Sequence, residues 1–221
     1  MVDILDEVEE DIRHERMITA ARRYGGFLVL AAILVVVAVA GQELWQAHSK
    51  KVAQRNATEY LALTQAVDQP GGEVTPAQAE ETAGKLLAFA DQASETYKTL
   101  ARMRAASLYA SINEVPKAAS LWTRVAADEA APVLIRDVAN LLWAQRELGI
   151  ANDTDVLARL QLMTQQSSPY HGLARELQAM VYLHQGNIAM AKSFFQQVQD
   201  DPTVPSGTRS RAAAMLTELN G

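Results

Sequence analysis

The sequence contains no cysteine. That excludes a disulfide framework, a Cys-ligated zinc site, a thiol nucleophile and a lipid-modified N-terminal cysteine. It leaves the compartment open, since exported bacterial proteins also do without cysteine. Aromatic residues are scarce at 6%, against a hydrophobic share of 49% that is rich in Ala and Leu, a mixture that favours helix. No segment alternates apolar and polar residues with a period of two, so strands are not expected. No basic stripe interleaved with aromatics exists. With a net charge of −6 and a pI of about 5.3, the chain has no electrostatic reason to bind nucleic acid. The charged fraction of 21% is ordinary, which argues against a disordered chain.

Signatures of catalysis are missing as well. The histidines, His14, His48, His171 and His184, form no HExxH and no other metal-ligand spacing. There is no G-x-S-x-G, P-loop or G-x-G-x-x-G. Gly25-Gly26 opens an apolar run and is not a phosphate loop. Glu80-Glu81 and Asp200-Asp201 read as solvated faces and helix ends rather than catalytic dyads. No catalytic residue, cofactor, metal or small-molecule substrate is expected. An enzyme with an unrecognised site is the alternative of another class, and no motif supports it.

What the sequence does have is an apolar run. Tyr24 to Gly41 reads YGGFLVLAAILVVVAVAG, without a charge. At about 1.5 Å per residue this helix covers roughly 27 Å, close to the hydrocarbon core of a bilayer. Leu44 and Trp45 extend it past Gln42-Glu43, and Tyr24 and Trp45 stand where an aromatic belt would place them. A buried core helix seldom shows apolar residues on every face over this length. Ala38-Val39-Ala40 matches a signal-peptidase pattern, so cleavage after Ala40 is the rival reading. The preceding segment, VDILDEVEEDIRHER, is long and acidic, and the run continues to Trp45. A signal anchor at residues 24–45 is therefore expected, with a tail at 1–23 and a domain at 46–221. Arg13, Arg16, Arg22 and Arg23 precede the span, whereas Lys50, Lys51 and Arg55 follow it. The positive-inside rule then puts the N-terminus in the cytoplasm and the C-terminal domain across the membrane. In the tail, Ile4, Leu5, Val8 and Ile12 share one helical face. That face belongs either to a solvated juxtamembrane helix or to a docking helix for a partner.

Beyond residue 46 the pattern is helix after helix. Gly71-Gly72 separates a helix near 50–68 from one near 76–91, and later breaks fall near Asn113, Pro132, Gly149, Pro169, Gly186 and Pro202. An internal repeat appears at an offset of 73 residues. Tyr97 matches Tyr170, and Leu100-Ala101-Arg102 matches Leu173-Ala174-Arg175. Ala106 matches Ala179, Ala118 matches Ala191, and Trp122 matches Phe195. Val125, Asp128, Pro132 and Arg136 match Val198, Asp201, Pro205 and Arg209. The offset amounts to about two helix-turn-helix units of 34–38 residues. In each copy an aromatic (Tyr109, Tyr182) ends the first helix. A small Ala then lets the second helix approach it closely, and an aromatic four residues on fills the space between them. Tyr-x8-Ala-x3-aromatic is the core of the tetratricopeptide consensus, here in degenerate form without the early Trp and Leu-Gly pair. The unit between the copies, near 134–166, keeps Leu148-Gly149 and Val156-Leu157 but loses the Ala and aromatic positions. The expected fold class is all-α: one transmembrane helix, then a tetratricopeptide-like array of helical hairpins, an α-solenoid.

The order of parts resembles the YfgM-like family of ancillary SecYEG translocon subunits, in its alphaproteobacterial form. The resemblance covers nearly the whole chain. EVEEDIRHER, RRYGG leading into the span, Trp45, LAR at 173–175 and YLHQGNIAMAKSFFQQV at 182–198 carry it. Ala20-Ala21 departs from it, standing where an aromatic would precede the basic pair. The resemblance implies a bacterial inner-membrane protein with a periplasmic domain, working beside the Sec translocon and periplasmic chaperones on exported chains. An envelope-assembly or cell-division scaffold of the same fold is the alternative. Stacked hairpins present a concave surface. The tetratricopeptide pattern assigns Glu176, Met180, Leu183 and His184 to it as protein-binding residues; the alternative is that they only cover the next repeat.

Overall fold

The computed structural model describes residues 3–68 and 74–221, with side chains described from residue 34 onward. Among the described residues every regular element is an α-helix. They are α1 (Asp3–Thr64), α2 (Pro76–Ala90), α3 (Glu95–Ser111), α4 (Val115–Ala127), α5 (Val133–Glu147), α6 (Asp153–Gln161), α7 (His171–His184), α8 (Ile188–Asp200) and α9 (Ser206–Asn220). The chain divides into two compact units, Met1–Arg55 and Asn56–Gly221. The helix expected near 50–68 is the end of α1, whose backbone runs on without a break through residues 24–45. No proline falls between Gln42 and Thr64, and Gly41 alone does not stop a helix. The side chains of the tail's apolar face, of Arg13, Arg16, Arg22, Arg23 and Tyr24, and the Gly71-Gly72 turn lie outside the described residues. So does the first part of the apolar run. Among the described residues no helix is long and apolar enough to cross a membrane.

The hairpins are built by local chemistry. Thr75 and Gln78 form a capping box ahead of α2, with Pro76 in its first turn. Asn152 and Asn187 cap α6 and α8 through their side-chain oxygens. The turns after α3, α5 and α7 each contain a left-handed residue: Asn113 at φ 62°, Gly149 at 78° and Gly186 at 74°. Glycine and asparagine tolerate that region, where a Cβ-branched residue would not. After α3 the Glu114 amide reaches back to the Tyr109 carbonyl at 2.9 Å, and after α7 the Asn187 amide reaches the Tyr182 carbonyl at 2.8 Å. Both are Schellman closures. The 73-residue offset thus carries Asn113 onto Gly186, α4 onto α8 and α5 onto α9, residue for residue. Gly149 falls midway, so the weak central copy is a true hairpin, with its second helix α6 shortened to nine residues.

From α2 onward each helix packs on the next, and first helices of adjoining hairpins also touch, α5 on α7 and α7 on α9. Ala118 and Ala191 are fully buried, and Trp122 and Phe195 are buried above them. Ala189 is exposed. One large apolar cluster runs from Val67 to Val181; a smaller one joins Ala179, Ala191, Phe195, Val198, Val204, Ala212 and Leu216. They meet on α7. The end of α1 enters the larger cluster through Tyr60, whose ring lies 6.5 Å from Phe89 and 6.1 Å from Tyr97. At Gly172 the approach is closer still: a Cβ there would come within 2.6 Å of Val204.

A polar device repeats with the core. Arg102 donates to Asp128 at 3.3 Å, and Arg175 donates to Asp201 at 3.2 Å. Each aspartate also accepts from the amide two residues on, of Ala130 and of Thr203. This pins the turn leading to the next hairpin. The second copy adds His171, with Nδ1 2.7 Å from the Ser168 carbonyl and Nε2 3.2 Å from the Asp201 carboxylate. Hydrogen bonds from the Thr203 hydroxyl and amide, together with the neighbouring His171, hold the Asp201 carboxyl below the usual carboxylate range.

Two outcomes follow from this packing. Ala191→Leu should overpack the α7–α8 contact and cost about 1–3 kcal/mol. Phe195→Ala should leave a cavity costing about 3–5 kcal/mol. Ala189→Leu, on the exposed side of the same helix, should change little. Denaturant unfolding of a fragment spanning residues 46–221 measures all three, and equal effects at 189 and 191 would refute the register. The second outcome concerns pH. A depressed carboxyl pKa stabilises the fold above the ordinary value of about 3.9, and the contribution is lost as pH falls from there through the folded value. Asp201→Asn should therefore lower stability at neutral pH, and the gap to wild type should close below about pH 4. A gap that stays constant with pH would show that the Asp201 charge is not what stabilises the turn.

Candidate functional site

The first helices of the last two hairpins and α9 enclose a groove of about 810 Å³. Val138, Leu141, Leu142 and Gln145 of α5 form one wall, followed by Leu148. Leu173, Glu176, Leu177 and Met180 of α7 run along the groove with Tyr170, and Arg211, Ala214 and Met215 of α9 form the other wall. Phe195 reaches its floor from α8. Positions 138, 141, 142 and 145, like 173, 176, 177 and 180, recur at helical spacing, which puts each set on one face. Apolar side chains dominate, and the two methionines supply adaptable surface.

The charges in the groove are closed on each other. Arg211 donates Nε to Glu176 Oε1 at 2.7 Å and Nη2 to Oε2 at 2.6 Å. The hydrogen bond to Glu176 holds the guanidinium above its ordinary range. Arg211 stands mostly in solvent, so this fork fixes geometry and neutralises charge more than it stabilises the fold. Among the described residues no three His, Asp or Glu side chains are grouped so as to hold a metal ion.

The structure separates the residues expected on the concave face. Glu176 and Met180 line the groove. Leu183 does not; it packs against the small cluster shared by α7, α8 and α9. His184 does not either. It sits at the end of α7, where Nδ1 is 3.2 Å from Asp153 at the start of α6. Its ring also lies over Gly149, 3.6 Å from where a Cβ would stand. Sequence reasoning carried over one helix and missed the opposing walls on α5 and α9. The signal for them was the offset, which aligns Val138 with Arg211 and Leu142 with Met215.

Comparison with known families bears on this architecture. A family described as a tetratricopeptide repeat-like domain matches residues 22–215. The chain belongs to that tetratricopeptide repeat-like family. The match takes in the apolar run as well as the hairpins. No curated protein and no solved structure matches the chain. Tetratricopeptide repeat-like arrays are interaction modules, whose stacked hairpins generate an extended concave surface for a protein partner. In this chain the first helices of successive hairpins line the groove between α5, α7 and α9.

Proposed function

We propose that the protein is a membrane-anchored interaction module of the bacterial envelope. In this reading the groove binds segments of other proteins, and the protein performs no catalysis of its own. The observation that carries it is the groove: concave, apolar, and with its only ion pair internally neutralised. Such a surface favours apolar side chains and discourages charged ones.

The anchor rests on separate support. Leu34, Val35, Val36, Val37 and Val39 are each 53–67% exposed, and four consecutive positions circle the helix. Burial of each such side chain is worth about 1.5–3 kcal/mol, so a helix exposed on all faces requires an apolar surrounding. A bilayer supplies it, with Tyr24 and Trp45 at its two interfaces. The arginines before the span favour a cytoplasmic N-terminus and a periplasmic array. The resemblance to the YfgM-like family extends the proposal to its partners: the Sec translocon, periplasmic chaperones and the exported chains they handle.

Full-length protein should stay with membranes after carbonate extraction. In spheroplasts, external protease should digest residues beyond 50 and spare the tail. A photocrosslinker at Leu177 should capture translocon subunits, chaperones or exported chains. A mature N-terminus at Gly41, or a protected C-terminal domain, would overturn the anchor or its direction. Crosslinks confined to lipid would overturn the partner assignment.

A further inference from the structure

Part of the groove has a counterpart two hairpins earlier. A cleft of about 330 Å³ lies between α3 and α5 over Trp122. The 73-residue offset relates the two places: Ser107 corresponds to Met180, Trp122 to Phe195 and Leu142 to Met215. Leu142 and Gln145 line both. The two clefts therefore share α5 as a common wall and adjoin each other.

Their chemistries diverge. The groove is apolar and its charges are paired. In the cleft, Ser107 replaces the methionine, and Arg146 stands at the edge, in the last turn of α5. Arg146 is exposed and makes no hydrogen bond or ion pair with any described residue. Below it Trp122 forms the floor, with its indole N–H buried and lacking an acceptor among the described residues. An apolar track that runs into an unpaired guanidinium is complementary to a chain whose apolar side chains adjoin a carboxylate.

We propose that groove and cleft form a single recognition track for an unfolded polypeptide segment in which an apolar stretch lies next to an acidic side chain. The apolar side chains enter between α5, α7 and α9, and the Asp or Glu carboxylate pairs with Arg146. The ligand carboxylate is a side chain rather than a chain terminus, because Arg146 is exposed and the bound chain is free to continue past it. This inference rests on the reading of the groove as a protein-binding surface.

The test uses the full-length protein in lipid nanodiscs and ten-residue fluorescent peptides, measured by anisotropy at low ionic strength. Three C-terminally amidated peptides share one Leu-rich stretch and differ in the adjoining residue: Glu, Gln or Lys. A fourth carries Gln with a free terminal carboxylate. The Glu peptide should bind about three- to fivefold tighter than the Gln peptide, the range an exposed ion pair allows, and the Lys peptide should bind more weakly. High salt should erase the preference. Arg146→Gln should equalise Glu and Gln, and Arg146→Glu should transfer the preference to Lys. Leu173→Glu, at a partly exposed groove position, should weaken every peptide. Equal binding of Glu and Gln peptides, with Leu173→Glu still weakening both, would overturn this inference and leave the groove reading standing. No binding, or no effect of Leu173→Glu, would overturn both. A preference shown only by the free-terminus peptide would overturn the side-chain assignment.

Discussion

Two helices can approach closely only where a small side chain permits it, and the array is organised around two such places. At Ala118 and Ala191 the second helix of a hairpin has no side chain beyond Cβ, and both positions are fully buried. Trp122 and Phe195, one turn later, then occupy the space between hairpins. The other features of each copy depend on this contact. The left-handed residue at Asn113 or Gly186 reverses the chain so that the alanine faces the first helix. The Arg–Asp pair at 102 and 128, or at 175 and 201, fixes the exit toward the next hairpin. A bulky residue at the alanine would displace the aromatic, and with it the floor of the cleft above.

The repetition also accounts for the groove and the cleft. Because the hairpins stack with a common register, their first helices turn equivalent faces to one side, and a groove forms wherever two of them flank an aromatic floor. The fold thus supplies the place, and individual residues supply the chemistry. A methionine at 180 makes one cleft apolar, and a serine at the matching position 107 makes the other polar. The copies thus keep the packing contact and diverge in the side chains that line the clefts beside it.

Much of this was legible in the sequence. The offset, the small and aromatic positions and the breaks at Asn113, Gly149 and Gly186 are imposed by short-range sterics, so they leave marks in residue type. The end of α1 was less legible. The chain has no proline or glycine between Gly41 and Pro70, and the helix stops at Thr64, short of the expected 68. The groove was half legible. Glu176 and Met180 follow from the tetratricopeptide pattern carried onto α7. The walls on α5 and α9 depend on how three helices line up in space, a long-range property that spacing on one helix cannot report. His184 shows the same limit from the other side. Its position in the last turn of α7 looked like part of the concave face, yet the ring turns to Asp153 on a neighbouring hairpin.

The central claim is that the groove between α5, α7 and α9 is where a partner chain binds. Methionine methyl NMR resolves it, because the methionines report different surfaces. Met180 and Met215 line the groove, whereas Met190 is exposed on α8 outside it. On titration with a Leu-rich peptide, the methyl signals of Met180 and Met215 should shift together and saturate, with Met190 unmoved. Shifts at Met190 with the groove signals unchanged would contradict the account.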